Sequence, residues 1–149
     1  MGRGAFVSDV VILVDLDNTI VDFRAGADAA VQRLFPSAAL SETYVHAEYA
    51  DNYPEHMRAP IREAYVECGF FLNLPPIEYA VAALHEMLWQ GYEPFICSSP
   101  LTAYQNCVGE KYAWVEKHLG ADWPRRVILT KDKTLVLGHV LIDDKPEVN

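Results

Sequence analysis

VVILVDLDNTIVDF, residues 10–23, places five apolar residues, Val10 to Val14, directly before Asp15, with Asp17, Asn18 and Thr19 close behind. A run rich in β-branched residues and of that length reads as a buried strand. Asp15 and Asp17 stand two residues apart, so in extended chain they project to the same side. At the carboxyl end of a parallel strand, that side is the crevice where open α/β sheets bind ligands. Two carboxylates so close repel each other unless a cation or a shared proton relieves them. The pair therefore points to a site.

Outward from this strand, the pattern turns helical from Arg24 to about Leu74. AGADAAVQRLF (25–35), SETYVHAEYADNY (41–53) and the region from Glu55 to Cys68 are candidate helices, punctuated by Pro36, Pro54 and Pro75–Pro76. Ile77, Ala80, Val81, Leu84 and Leu88 mark a further helix face that Gly91 closes. Glu93 to Cys97 reads as a second strand ending at Ser98 and Ser99. Leu101, Tyr104, Val108, Tyr112, Val115 and Leu119 recur in steps of three and four, which predicts a helix with Pro100 near its first turn and Gly120 as its stop. Val127–Leu129 and Val140–Ile142 are the remaining strands. Strands alternating with helices predict a parallel α/β sheet. Each strand ends in polar residues: Asp15 and Asp17, Ser98 and Ser99, Thr130 with Lys131 and Lys133, and Asp143 with Asp144. Parallel strands bring these ends to one edge.

Length and composition bound the reading. The chain has 149 residues, 51% of them hydrophobic, as expected of one folded domain or one domain carrying an insertion. Its apolar runs are strand-sized, which excludes a helical membrane span, and MGRGAFVSDV lacks the apolar core of a secretory signal. A net charge of −9 argues against a nucleic-acid polymer or an anionic membrane as partner. It is compatible with a small phosphorylated substrate met by local lysines and a metal. Three unpatterned cysteines imply reduced thiols and a cytoplasmic location. Cys97 reads as a buried strand residue, and the five histidines show no ligand spacing. Ser98 and Ser99 can bind an anion and also cap the helix that follows.

The gathered strand ends define a chemistry. Carboxylate oxygens without Cys or His partners suit a hard cation, Mg²⁺ above all. Lysine and serine donors suit phosphate oxygens. One carboxylate can attack phosphorus, and a second, its pKa raised by its neighbour, can protonate the leaving oxygen.

These residues carry a family resemblance. DLDNT resembles the DxDx[TV] signature of the haloacid dehalogenase (HAD) superfamily, and Ser98, Lys131 or Lys133, and Asp143-Asp144 resemble its later motifs in order. FICSSPLTAYQNCVGEKYAWVEKHLG (95–120), VILTKDKTLV (127–136) and LIDDKP (141–146) are similar to segments of its 5′(3′)-deoxyribonucleotidases. The resemblance implies a three-layer Rossmann-like parallel sheet, residues 8–23 and 75–149, with a small helical cap, residues 24–74, inserted after the first strand. It implies a Mg²⁺-dependent phosphomonoesterase that dephosphorylates nucleoside monophosphates through an aspartyl-phosphate. Asp15 would be the nucleophile and Asp17 the general acid/base. The Asp15 side chain, the Asp17 carbonyl and the Asp144 side chain would hold the metal, with Asp143 beside them. Ser98, Ser99 and Lys133 would bind phosphate. Phe23, Tyr44, Val45, Lys131 and Phe71 (or Phe70) would line the nucleoside pocket.

Alternative readings are a phosphatase for another small phosphomonoester such as a sugar phosphate, a receiver-type phosphoacceptor, and a nucleotide-binding protein without turnover. The chain ends five residues after Asp144, where relatives continue with a further strand and helix. The resemblance thus implies an open sheet edge that a partner, such as a second copy in a homodimer, would cover.

Overall fold

A computed structural model describes residues 9–146. Most of the N-terminal MGRGAFVSDV stretch and the ends of the expected core, 8 and 147–149, lie outside the described residues.

Strands β1 (Val11–Val14), β2 (Glu93–Ser98), β3 (Val127–Leu129) and β4 (Val140–Ile142) form a parallel sheet of order β3-β2-β1-β4. Strand order reverses at β1, which sits between β2 and β4, and this is where such sheets open a ligand crevice. Helices α3 (Ala80–Trp89) and α4 (Tyr104–Leu119) supply Leu84, Trp114 and Val115 to one apolar cluster with Ile12, Val14 and Ile96. Alternation along β1 places Ile12 and Val14 in that cluster.

Helices α1 (Phe23–Leu34) and α2 (Glu55–Val66) build a second cluster. Asp22 caps α1 by accepting from the Ala25 N–H at 2.8 Å. Ala27 and Val31 of α1 then meet Met57, Ile61 and Tyr65 of α2, with Tyr49 and Tyr53 between them. At Gly26 a Cβ would collide with the Leu74 side chain, so α1 can approach the chain returning to the sheet only because no side chain intervenes.

The two crossings between sheet and helices are fastened together. The Asp22 N–H donates to Pro75 O and the Ile77 N–H to Ile20 O, both at 2.8 Å, around an antiparallel bridge of Val21 with Pro76.

Two expected elements differ. Residues 41–53 do not form an α-helix; only Tyr49–Asn52 makes a short 3₁₀ turn. The cause is the Asn52 side chain. Its Oδ1 accepts from the N–H groups of Val45 and His46, and its Nδ2 donates to the carbonyls of His46, Glu48 and Tyr49. A short amide side chain here outcompetes the helical ladder. Helix α4 begins at Tyr104 rather than beside Pro100. Ser98 and Ser99 therefore do not cap it.

Candidate active site

The DLDNT segment folds into a tight loop at the end of β1. The Asp15 N–H donates to Ile142 O of β4 at 2.8 Å, and Leu16 O accepts from both Ile20 and Val21 N–H at 2.9 Å. Asn18 adopts a left-handed conformation, φ 59°, which asparagine tolerates better than most residues. Its Oδ1 accepts from the Arg24 N–H, so the loop is tied to the start of α1. Leu16 and Ile20 are buried in the sheet cluster, which leaves Asp15 and Asp17 on the crevice side.

Two buried lysines organise the carboxylates. Lys133 Nζ donates to Asp15 Oδ1 at 2.7 Å and to Asp143 Oδ2 at 2.6 Å. Lys111, only 1% exposed, donates to Asp17 Oδ2 at 2.5 Å and to Ser98 Oγ at 2.9 Å. Carboxylate oxygens of Asp15, Asp143 and Asp144 all lie within 4.8 Å of one another.

Burial pushes the Asp15 carboxyl up to about 6 against the opposing pull of Lys133, with Asp143 and Asp17 adding repulsion. Burial also raises Asp144, and the Asp143 charge adds to it. Burial would lower Lys133, but its bonds to Asp143 and Asp15 outweigh that and hold the ammonium up. For Asp143 burial works upward, yet the Lys133 ammonium and the Lys145 N–H prevail and hold the carboxyl below its ordinary value. Three converging carboxylates served by one ammonium fit a hard divalent cation, which would relieve the residual repulsion.

Above them opens a cleft of about 470 Å³. Asp15, Asp17, Lys133 and Asp144 line it, joined on the sheet side by Ser99, Leu101, Thr102 and Lys131. The helical side contributes Phe23, Glu48, Tyr49, Tyr65 and Phe71. Phe23 makes edge contacts with Tyr65 and Phe70 at centroid distances of 5.1 and 5.6 Å. Among the described residues, Asp17 Oδ1 and the Tyr65 hydroxyl are buried without a hydrogen-bond partner. Tyr65 is 4% exposed, and an unpaired hydroxyl at that depth is costly. Both residues line the cleft, where a bound ligand could pair them.

Most of the expected residues converge. Asp15, Asp17, Asp144, Ser99, Lys131, Lys133, Phe23 and Phe71 line the cleft. Ser98 lies fully buried on Lys111, and Asp143 is held on Lys133. Tyr44 and Val45 are not among the residues that line the cleft. Val45 is 83% exposed, its N–H spent on Asn52. Tyr44 donates to Asp28, lies under the Arg24 guanidinium and packs against the α1–α2 cluster.

Lys111, Tyr49 and Tyr65 escaped the sequence reading. For Lys111 the signal was present: with Cys107, Trp114 and Val115 it occupies the buried stripe of α4, where a lone charge needs a partner. Tyr49 and Tyr65 sit among apolar residues at ordinary helix spacing, and nothing local separates them from core tyrosines.

The chain is similar to known proteins. A family described as "5' nucleotidase, deoxy (Pyrimidine), cytosolic type C protein" matches residues 9–149. The human cytosolic-type 5'(3')-deoxyribonucleotidase is 44% identical over 149 residues, covering 93% of this chain and 72% of that protein. The human mitochondrial 5'(3')-deoxyribonucleotidase is 36% identical over 144 residues, covering 92% of this chain and 63% of that protein. In fold, the chain resembles a hydrolase from Streptococcus pneumoniae TIGR4, with a TM-score of 0.56 at 16% identity, covering 91% of this chain and 83% of that one. With 93% of its length aligned to a relative and residues 9–149 matched, the chain belongs to the deoxy-type, cytosolic type C family of 5′-nucleotidases.

Proposed function

We propose that this protein is a Mg²⁺-dependent phosphomonoesterase for deoxyribonucleoside 5′- or 3′-monophosphates. The observation that carries the reading is Asp15, Asp17, Lys133 and Asp144 on the floor of a cleft walled by Phe23, Tyr65 and Phe71. Phosphate chemistry needs the floor; a flat nucleobase suits the wall.

In the reaction, an Asp15 carboxylate oxygen attacks phosphorus and the ester oxygen departs, giving an aspartyl-phosphate. Asp17 gives its proton to the leaving oxygen. Asp17 then takes a proton from water as that water attacks the intermediate, returning Asp15 and releasing inorganic phosphate. Lys133 and Ser99 hold the phosphate oxygens, and Lys111 keeps Asp17 in place. Asp15, the Asp17 carbonyl and Asp144 would hold the Mg²⁺, with Asp143 steadying the group through Lys133. When bound, the ion offsets negative charge on the transferring group.

In this reading residues 24–74 act as a cap that excludes water and recognises the nucleoside, with Lys131 at its margin. The human cytosolic-type relative supports a cytoplasmic location; among the described residues no helix is long and apolar enough to cross a membrane. Val140 and Ile142 are exposed on the β4 edge, which supports a homodimer paired there.

Phosphate release from a panel of deoxy- and ribonucleoside monophosphates and sugar phosphates, with Mg²⁺ and with chelator, tests the reading. Deoxynucleotides should lead and chelator should abolish release. Activity indifferent to chelator, or a panel led by sugar phosphates, would overturn it.

A further inference from the structure

The turn that returns the chain from α2 to the sheet, residues 67–74, is held by one face of α4. Asn106 Nδ2 donates to Val66 O at 2.8 Å, and Trp114 Nε1 donates to Leu74 O at 2.8 Å. Between them, Glu110 accepts from three backbone N–H groups: Gly69 at 2.6 Å, Phe71 at 3.0 Å and Leu72 at 3.3 Å. Residues 106, 110 and 114 recur every four positions, so they share one face of the helix. Gly69 takes φ +91° here, a backbone conformation that glycine adopts readily. Bonds from a carboxylate to backbone N–H groups are charge-assisted and strong.

What this grip holds is the aromatic wall. Phe71, one of the gripped residues, is 2% exposed and lines the cleft. Its ring stands 5.2 Å from Phe70 and 6.0 Å from Phe23, and Phe70 stands 5.5 Å from Tyr65. Glu110 is not among the residues lining the cleft, and its hydrogen bonds go to Gly69, Phe71 and Leu72 rather than to Asp15, Asp17 or Lys133.

We infer that Glu110 is a positioning residue for the nucleoside half of the substrate: it fixes the 69–72 turn and thereby sets the wall formed by Phe71, Phe23 and Tyr65. The inference rests on the proposed function, because it assumes that this wall receives a nucleoside. The neighbouring Lys111 serves the phosphoryl half through Asp17 and Ser98. Consecutive residues of α4 thus divide the two halves of the substrate between them.

The test compares wild type with Glu110→Ala on a deoxynucleoside monophosphate and on p-nitrophenyl phosphate, both with Mg²⁺. Glu110→Ala should raise KM for the nucleotide about tenfold or more, with kcat and p-nitrophenyl phosphate hydrolysis within about twofold of wild type. Inhibition by inorganic phosphate should be unchanged. Hydrogen exchange should quicken at Gly69, Phe71 and Leu72 ahead of the rest of the chain. Equal losses on both substrates would reduce Glu110 to a stability role, and an unchanged nucleotide KM would end the inference. If Glu110→Ala does not fold, Glu110→Gln, which keeps one acceptor oxygen, serves in its place with the same split in smaller measure. Failure of the proposed function is visible separately, as wild-type enzyme that hydrolyses p-nitrophenyl phosphate and ignores nucleotides.

Discussion

The sheet cluster buries aliphatic and indole side chains, Ile12, Val14, Leu84, Ile96 and Trp114, whereas the α1–α2 cluster seats Tyr49, Tyr53 and Tyr65 beside Ala27, Val31 and Ile61. In the second, the Tyr44 and Tyr49 hydroxyls donate to Asp28, and Tyr49 meets Tyr53 at 2.8 Å. The first is a dry platform that delivers charged groups at strand ends. The second keeps polar atoms in its interior, and one of its tyrosines, Tyr65, also lines the cleft. The aromatic wall of the cleft joins the two, with Phe71 in the sheet cluster, Tyr65 in the α1–α2 cluster and Phe23 packed against both, and damage to the strand ends and to that wall should have different kinetic signatures.

The strongest way to break that division is at the platform. Asp15→Asn should lower phosphate release by about 10⁴-fold or more, by loss of the nucleophile, while fluorescence titration still detects nucleotide binding. Lys111→Met should lower kcat on nucleotides by about 10²-fold with little change in KM, because Asp17 loses its anchor. Lys111→Arg should restore part of that, and p-nitrophenyl phosphate, whose leaving group needs no acid, should be hurt far less.

pH sharpens the same point. Asp15, raised to about 6 in the fold against its ordinary 3.8, contributes stability below about pH 4 that is lost as pH rises through about 6. In chelator, the stability of Asp15→Asn relative to wild type should therefore climb between pH 4 and pH 7, by on the order of 2 kcal/mol. Thermal melts across that range check it; a flat difference would mean that Asp15 is not desolvated.

On the recognition side, Tyr65→Phe should raise the nucleotide KM by about tenfold without lowering the melting temperature, since the hydroxyl it deletes has no partner in the fold. A destabilised variant with normal KM would place that hydroxyl in the packing instead.

The two units also differed in legibility. The β-strands and the residues at their ends could be read because each strand is a short apolar run and its chemistry follows within a few positions. Asp15, Ser98, Lys133 and Asp143 announce themselves in this way. The helical unit resists such reading. An Asn52 side chain that converts an apparent helix into a loop acts through geometry that periodicity does not register. Tyr44 and Tyr65 carry the same side chain in the same stretch, yet only Tyr65 reaches the cleft. Lys111 lay between: its place in an apolar stripe was visible, but its partners Asp17 and Ser98 are distant in sequence.

The paired crossings at residues 20–22 and 75–77 bear on how such proteins diversify. Because the chain leaves the sheet and rejoins it at adjacent, mutually bonded points, the platform meets the inserted helices at one narrow junction and along the α4 face that holds residues 66–74. Segments that touch neither, such as the loop before Tyr49, can be rebuilt at the least cost to the catalytic floor.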